Sequence, residues 1–455
     1  MLRTYRFAGS ALALFVLACT PLALDPIDGG TDAVVLTDTG TDAGPPMPIT
    51  RPALLAANAV SESDPNYQGQ LRFLWDTWGV EVNSSWPPPA FMLQLMTSEP
   101  TVFGNQYASF GFVHNPNDDF PVGLTRGIAD PTQLAQTCAL CHVATLQDGR
   151  VWLGAANGAL RLEEFRYEVN QRWVAAGHAS MLTALDITKA HELGPGRASA
   201  EGSTNPQLVP VDFPPYYNFQ NRTNFTYLGA VLDLRSTVFV TVFDQGARAP
   251  FDPMSPVAWP GNARVQQMVD FLATLVGPTG PTQDATLVAR GALLFDSEHC
   301  SSCHHPGHPE MDGVTTVPSD ALDRLPGADA MHPSGTIGTD PLDFNLINYT
   351  GGGADPEIAL RLRFLGANHL RVTLTSGYRV LGLRNIWATA PYLHNGSVPT
   401  LDALLQPAAS RPATFMRGSF LVDTAVPGNS NQGHEFGTAI SAADRAALVA
   451  YLLSL

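Results

Sequence analysis

Two five-residue stretches carry the chemistry of this chain. Cys300-Ser301-Ser302-Cys303-His304 and Cys138-Ala139-Leu140-Cys141-His142 both read C-x-x-C-H, the attachment pattern of c-type haem. The two thiols of such a motif add across the two vinyl groups of a porphyrin, and the adjacent imidazole takes the iron from one side. A separation of three residues puts both sulfurs on one face of a turn, and the next residue points back over the ring. The motifs therefore predict two covalently bound c-type haems, attached at Cys138, Cys141, Cys300 and Cys303, with His142 and His304 as iron ligands. A zinc site built from the two C-x-x-C pairs is the competing chemistry. A histidine directly after each pair speaks for haem.

The chain has five cysteines. Four lie in the motifs, and none is left for a disulfide framework. The fifth, Cys19, ends a leader in which Arg3 and Arg6 precede an apolar run, Ala8 to Ala18, too short to span a bilayer. Val16-Leu17-Ala18-Cys19 resembles a bacterial lipobox. This makes residues 1–19 a signal peptide, with Cys19 as the lipid-bearing first residue of the mature chain; ordinary signal cleavage is the alternative. Thr20, rather than Asp, follows, which by resemblance to Gram-negative lipoproteins implies the outer membrane. The expectation is an exported protein, periplasmic or held at a membrane by a lipid anchor at Cys19. Export suits covalent haem, which bacteria assemble outside the cytoplasm. Residues 20–52, rich in Asp, Thr, Gly and Pro, bury too little apolar surface to order themselves and read as a disordered tether.

The formal net charge is −16, which excludes nucleic acid as a partner because phosphates demand basic patches. It suits a small basic redox protein as electron donor or acceptor. The length, 455 residues, accommodates an N-terminal haem domain over 53–277 and a C-terminal cytochrome c domain over 282–455. The expected fold is mainly α: two cytochrome c-like haem domains with long irregular loops and minor β.

The elements that must position the motifs follow from pattern. Tyr67 to Met96 is helix-compatible, interrupted by Pro87-Pro88-Pro89, and Leu160 to Leu185 looks helical. Residues 194–224, full of Gly, Pro and Asn, read as irregular loop, while 238–243 fits a strand or a buried helix equally. Val265 to Val276 places Val265, Met268, Val269, Leu272 and Val276 on one helical face, ended by Gly277-Pro278. The last helix, Ala442 to Leu455, starts at Ser441 with Asp444 as a capping box. The sequences MVDFLATL and LVAYLLSL, at 268–275 and 448–455, look alike and suggest an internal duplication. Ala285 to Phe295, leading to Cys300, resembles the first helix of class I cytochrome c domains. The resemblance implies that Gly291 lets the first and last helices cross closely and that Phe295 packs near the haem edge.

A second resemblance is more specific. Leu383-Arg384-Asn385-Ile386-Trp387-Ala388-Thr389-Ala390-Pro391-Tyr392-Leu393-His394-Asn395-Gly396-Ser397-Val398-Pro399-Thr400-Leu401 looks like the C-terminal signature of the bacterial di-haem cytochrome c peroxidase superfamily. Segments such as Arg411-Pro412-Ala413-Thr414-Phe415 and the run from Pro427 to Gly437 bring it closest to the rubber-oxygenase-like branch. The strong likeness covers about the last 80 residues of the sequence. The N-terminal half shares only the general plan: a haem motif after a Val-Gly-Leu-Thr stretch, and a later Val211-Asp212-Phe213-Pro214.

The resemblance implies that His394 is the distal ligand of the second haem, giving a bis-histidine iron with His304. Met416 competes for that place, with Met311 and Met331 behind it, and a bland role for His394 is a bond to a loop carbonyl. For the first haem, His114, His178 and His191 are available as ligands, or equally are surface and core histidines. With none bound, His142 holds a five-coordinate iron, and Asp212, Phe213, Tyr216 and Tyr217 are a candidate distal wall. His434 either lines the second haem or anchors the Asn-rich loop. His299, His305 and His308 read as solvated or propionate-facing. Trp387, Trp152 and Trp173 are aromatics that could lie between the haems or simply fill the core, and Arg384 and Arg379 are candidate propionate partners. These features imply a di-haem peroxidase- or oxygenase-like oxidoreductase acting on peroxide, O2 or a small-molecule substrate, whose second haem relays electrons. The alternatives are a non-catalytic periplasmic electron-transfer cytochrome, and a surface lipoprotein in which haem is mainly structural. No catalytic acid or base is identifiable.

Overall fold

The structure is a computed structural model that describes residues 48–52, 54–76, 86–127, 130–199, 210–219, 222, 225, 233–238, 262–304, 331–333 and 377–455. The leader, Cys19, most of the tether, His305, His308, Met311 and residues 239–243 lie outside them. All the described residues fall within one compact unit, residues 41–455.

Helices dominate. In chain order they are α1 (Tyr67–Trp75), α2 (Pro89–Ser98), α3 (Pro100–Phe103), α4 (Ala139–His142), α5 (Leu162–Ala175), α6 (Ala184–Glu192), α7 (Asn262–Thr274), α8 (Ala285–Ser297), α9 (Leu401–Leu404) and α10 (Ala442–Ser454). The β structure among the described residues is five two-stranded antiparallel ribbons: β1 Leu124–Arg126 with β2 Leu134–Gln136, β3 Val143–Thr145 with β4 Val151–Leu153, β5 Arg197–Ser199 with β6 Pro210–Asp212, β7 Met331–Pro333 with β8 Gly377–Arg379, and β9 Thr414–Arg417 with β10 Phe420–Asp423. The mainly α expectation holds.

Three local expectations are corrected. The stretch from 160 to 185 is not one helix: α5 ends at Ala175, Gly177 takes a left-handed φ of 91°, and Thr183 starts α6 with a full capping box. Glycine is the residue that adopts such a φ without penalty. The 194–224 stretch contains the β5–β6 ribbon. Val276 does not continue the buried face of α7; it is 48 % exposed, because the helix has already stopped at Thr274.

Two helix crossings frame the motifs, and they are built alike. α8 crosses α10 at Gly291, where a Cβ would collide with the Ala447 carbonyl and the Tyr451 Cβ. α1 crosses α7 at Gly69, where a Cβ would collide with the Gln267 carbonyl and the Phe271 Cβ. Only the absence of a side chain permits such a backbone approach. Four residues beyond each glycine stands a buried phenylalanine, Phe73 or Phe295. Each is packed tilted or edge-on against an aromatic of the opposite helix, Phe73 on Phe271 at 5.8 Å and Phe295 on Tyr451 at 5.4 Å. Gln267 and Phe271 correspond in order to Ala447 and Tyr451 in the two similar octapeptide regions, so the duplication is one of packing as well as of sequence. Each such buried ring stabilises by about 1.5–3 kcal/mol through apolar surface removed from water.

The first crossing has an added polar lock. Asp76, just past α1, is buried and pairs with Arg72 at 3.0 Å and with Arg264 of α7, while Arg72 also donates to Gln267. A second core lies beside it, under α2, α3 and α5. There Phe165 is ringed by Trp86, Phe103, Tyr107, Phe110 and Phe112 at centroid distances of 4.6–6.3 Å.

Candidate haem sites

The first motif opens a turn of helix, α4, and the second a 3-10 turn, Cys300–Ser302. In both, the backbone turns back on itself: the His142 N–H donates to Cys138 at 3.2 Å and the His304 N–H donates to Cys300 at 2.8 Å. This is the fold-back that brings two sulfurs and an imidazole to one side.

Both motif histidines are held in the same way. His142 Nδ1 lies 3.0 Å from the carbonyl of Pro214, and His304 Nδ1 lies 3.0 Å from the carbonyl of Leu381. A carbonyl only accepts, so Nδ1 carries the proton in each ring, and the lone pair is left on Nε2, where a metal binds. The likeness continues four residues on. Asn218 and Asn385 both take left-handed backbones, with φ of 57° and 63°. Asn218 N–H donates to Leu275 and Asn385 N–H donates to Leu455, closing the equivalent ends of the two similar helical segments. The two side chains then meet: Asn218 Nδ2 donates to Asn385 Oδ1 at 2.7 Å. Asn218 Oδ1 accepts from Gly277 N, and Asn385 Nδ2 donates to Pro278. Each motif is thus tied to a closing helix by one Asn-terminated segment, and the two segments are joined at the Gly277-Pro278 linker. Sequence reasoning missed this device. Its only trace in the sequence is an asparagine in each half, without a shared motif around it.

The surroundings suit a flat apolar group. Cys138 belongs to the core of α1 and α7, 3.9 Å from the Met268 sulfur, whereas Cys141 packs on the aromatic core around Phe165. The first motif therefore sits on the seam between two apolar clusters. Cys300 packs with Phe295 and Leu452, and Cys303 packs against Val380. Burial pushes the Cys138 thiol up to about 12 and Cys300 to about 11, and it raises Cys141 and Cys303 as well. Among the described residues, no group of three or more His, Cys, Asp or Glu side chains is placed to hold a metal ion. A four-cysteine zinc site therefore finds no support. Burial lowers His142 to about 3, leaving it neutral, as an iron ligand must be. The donor set fits two c-type haems.

The remaining candidates divide clearly. The His434 ring lies near His304, with centroids 6.4 Å apart and the rings tilted by 53°, so that both imidazoles would be candidates to hold one haem iron, which with two strong ligands would serve electron transfer. His394 is buried, and burial lowers it to about 3. Its carbonyl accepts from Asp212 N at 2.8 Å, which sets its backbone beside the segment that carries Pro214. Met416 is 59 % exposed on β9. Tyr216 stacks on the His142 ring at 3.6 Å. Tyr217 and Phe213 are buried beside it, while Asp212 is buried in an ion pair with Arg417 at 2.6 Å. His178 stacks on Trp173 at the end of α5, and His191 lies edge-on to Tyr167; His114 is exposed. Trp387 and Trp152 flank the linker, donating to the carbonyls of Pro278 and Val276. For Arg379 only the backbone is described.

Comparison with known proteins agrees with this chemistry. Residues 377–416 match the family described as RoxA-like, cytochrome c-like. An uncharacterized protein of Sinorhizobium fredii strain NGR234, y4iJ, is 46 % identical over a region covering 17 % of this chain and 18 % of that protein. A second from the same organism, y4iM, is 34 % identical over 32 % of this chain and 34 % of that protein. The matched regions span about a third of these relatives or less. Among solved structures, a hydrazine synthase of Kuenenia stuttgartiensis aligns over 54 % of this chain and 73 % of that one, at 17 % identity and a TM-score of 0.30. A MauG-like protein associated with microbial copper homeostasis aligns over 58 % and 78 %, at 19 % identity and a TM-score of 0.34. The matched segment, residues 377–416, contains the signature from Leu383 to Leu401, and over that segment the chain is similar to the RoxA-like, cytochrome c-like proteins.

Proposed function

We propose that this protein is an exported di-haem c-type cytochrome that acts as an oxidoreductase on peroxide or O2. The observation that carries this reading is the matched treatment of the two motif histidines, each with Nδ1 on a backbone carbonyl at 3.0 Å. A haem held there supplies one-electron exchange or, where its iron keeps an open position, reaction with O2 or peroxide.

The chain's own residues divide the work. His304 and His434 have ring centroids 6.4 Å apart, which supports the second motif as the electron relay, with His434 beside His394 as a candidate for the second ligand. His142, neutral and stacked on Tyr216, supports the first motif as the reactive one. Apolar walls from the core around Phe165 exclude water from the Cys141 side and favour an apolar substrate. Electrons come from a small redox protein. A lipid on Cys19 holds the chain at a membrane on the periplasmic side.

Absorption and electron paramagnetic resonance spectra of the holo-protein, with carbon monoxide added after reduction, test this. One high-spin ferric iron and a carbon monoxide shift for one of two haems are expected. Two low-spin irons and no shift refute the oxidoreductase reading and leave an electron-transfer cytochrome.

A further inference from the structure

Three charged side chains lie buried where β5, β6 and β9 approach one another. Arg197 is 2 % exposed, Asp212 6 % and Arg417 7 %. Arg417 pairs with Asp212 at 2.6 Å and reaches the carbonyl of Gly158 with Nε at 3.4 Å. Arg197 donates to Asn429 Oδ1 at 2.8 Å and to the Gly396 carbonyl at 3.2 Å, both neutral acceptors. Its Nε, buried, has no hydrogen-bond partner. The charged groups that act on Arg197 are Arg417 and Asp212, and those that act on Asp212 are the same two arginines. Among the described residues, the cluster therefore holds two guanidinium ions against one carboxylate.

An uncompensated charge in such a place is costly. Burial already lowers Arg197 to about 10, with Arg417 pushing the same way. The cradle is shaped for these side chains: a Cβ on Gly196 or Gly396 would collide with the Arg417 guanidinium. What the cluster lacks is one negative charge with a planar pair of acceptors, which is the geometry a guanidinium fork recognises.

Its position says where that charge comes from. Asp212 is two residues before Pro214, whose carbonyl holds His142. Gly158 follows Asn157, whose N–H donates to the Cys141 carbonyl. The cluster thus adjoins two backbone segments that bond to the first motif. We propose that Arg197 and Arg417, with Asp212 balancing one of their two charges, hold a propionate carboxylate of the haem attached at Cys138 and Cys141. Arg197 comes from the N-terminal half and Arg417 from the C-terminal half, so this one carboxylate joins the two halves. These are positioning residues, not catalytic ones. The proposal rests on the two-haem reading.

The test is redox titration of the holo-protein with Arg197→Gln and Arg197→Lys, alongside haem quantitation by pyridine haemochrome. Thioether attachment keeps both haems on the variants. In Arg197→Gln, one haem is expected to fall in midpoint potential and to gain a pH dependence, since the freed carboxylate now takes up a proton on reduction. The other haem stays unchanged. Arg197→Lys keeps the charge and safeguards the fold; the same potential falls by less. Unchanged potentials in either folded variant overturn the proposal and leave an internal ion cluster. A wild-type potential that shifts on titration with acetate also overturns it, by making the occupant an exchangeable carboxylate. A haem count of one in the wild type overturns the two-haem reading itself, and the proposal with it.

Discussion

Replacing Asn218 by alanine should uncouple the two halves of the molecule, and the cost follows from three interactions. The side chain donates to Asn385 Oδ1 at 2.7 Å and accepts from Gly277 N at 3.1 Å. Both asparagines are buried, so truncation leaves an acceptor and a donor without their partners, at about 1–3 kcal/mol each. The backbone φ of 57° adds about 1 kcal/mol for a residue with a Cβ that cannot bond locally as Asn does. The total is about 3–7 kcal/mol. Asn218→Gly keeps the backbone term and should be about 1 kcal/mol milder. Asn385→Ala should cost about as much as Asn218→Ala, because it too loses two side-chain bonds, the shared one and the one to Pro278. The double variant should fall short of the sum by about 1–3 kcal/mol, since the shared bond is removed only once. Urea unfolding of the holo-proteins, followed by far-ultraviolet circular dichroism, gives the cycle. Additivity within about 0.5 kcal/mol refutes the coupling, and equal losses for the Ala and Gly variants refute the backbone part.

Three further outcomes are expected. Asp76→Asn leaves Arg72 and Arg264 facing each other beneath the first crossing and should cost about 3–5 kcal/mol in urea unfolding; a loss below 1 kcal/mol, on the order of a surface pair, would contradict the buried lock. His434→Ala should turn one low-spin iron into one that binds carbon monoxide on reduction, while His394→Gln leaves both irons as they were; the reverse result returns the distal place to His394. Burial lowers His394 from 6.5 to about 3, so the folded state prefers it neutral. Stability is then untouched above the unfolded value and declines as pH falls from about 6.5 towards about 3, because only the unfolded chain takes up the proton, by about 1.4 kcal/mol per pH unit. His394→Gln should remove that slope, and a wild-type-minus-variant difference that stays flat down to about pH 4 speaks against it.

The parts that were legible in the sequence are those written by local spacing. C-x-x-C-H, the closing octapeptides and Gly291 with Phe295 each announce a geometry within a few residues. Gly69 and Phe73 repeat the Gly291–Phe295 arrangement but went unread, because Phe73 is followed by 64 residues before Cys138, whereas Phe295 is followed by four before Cys300. Periodicity could not divide α5 from α6, since polar and apolar residues continue evenly through Gly177. His434 was left between two roles, because what sets it opposite His304 is a long-range approach. Buried Arg197 and Arg417 carried no signal at all: an arginine in a sequence reads as surface until a fold removes its water.

The duplicated tie also bears on how two C-x-x-C-H motifs come to share one chain. A C-x-x-C-H motif alone fixes a haem to a turn but not that turn to the rest of the fold. Here each motif histidine is bonded to a carbonyl four residues before an asparagine, and that asparagine closes the helix at the far side of its own half. Any tilt of one imidazole therefore strains the Asn218–Asn385 bond and, through it, the other imidazole's segment. The buried Arg197–Asp212–Arg417 cluster makes a second connection by a different route, from β5 and β6 to β9. Two links of this kind hold the relative placement of the two motifs more tightly than the apolar clusters could, because apolar packing tolerates small slides and aligned hydrogen bonds do not. Under the two-haem reading proposed above, that stiffness would fix the distance between the two centres, on which electron passage depends steeply.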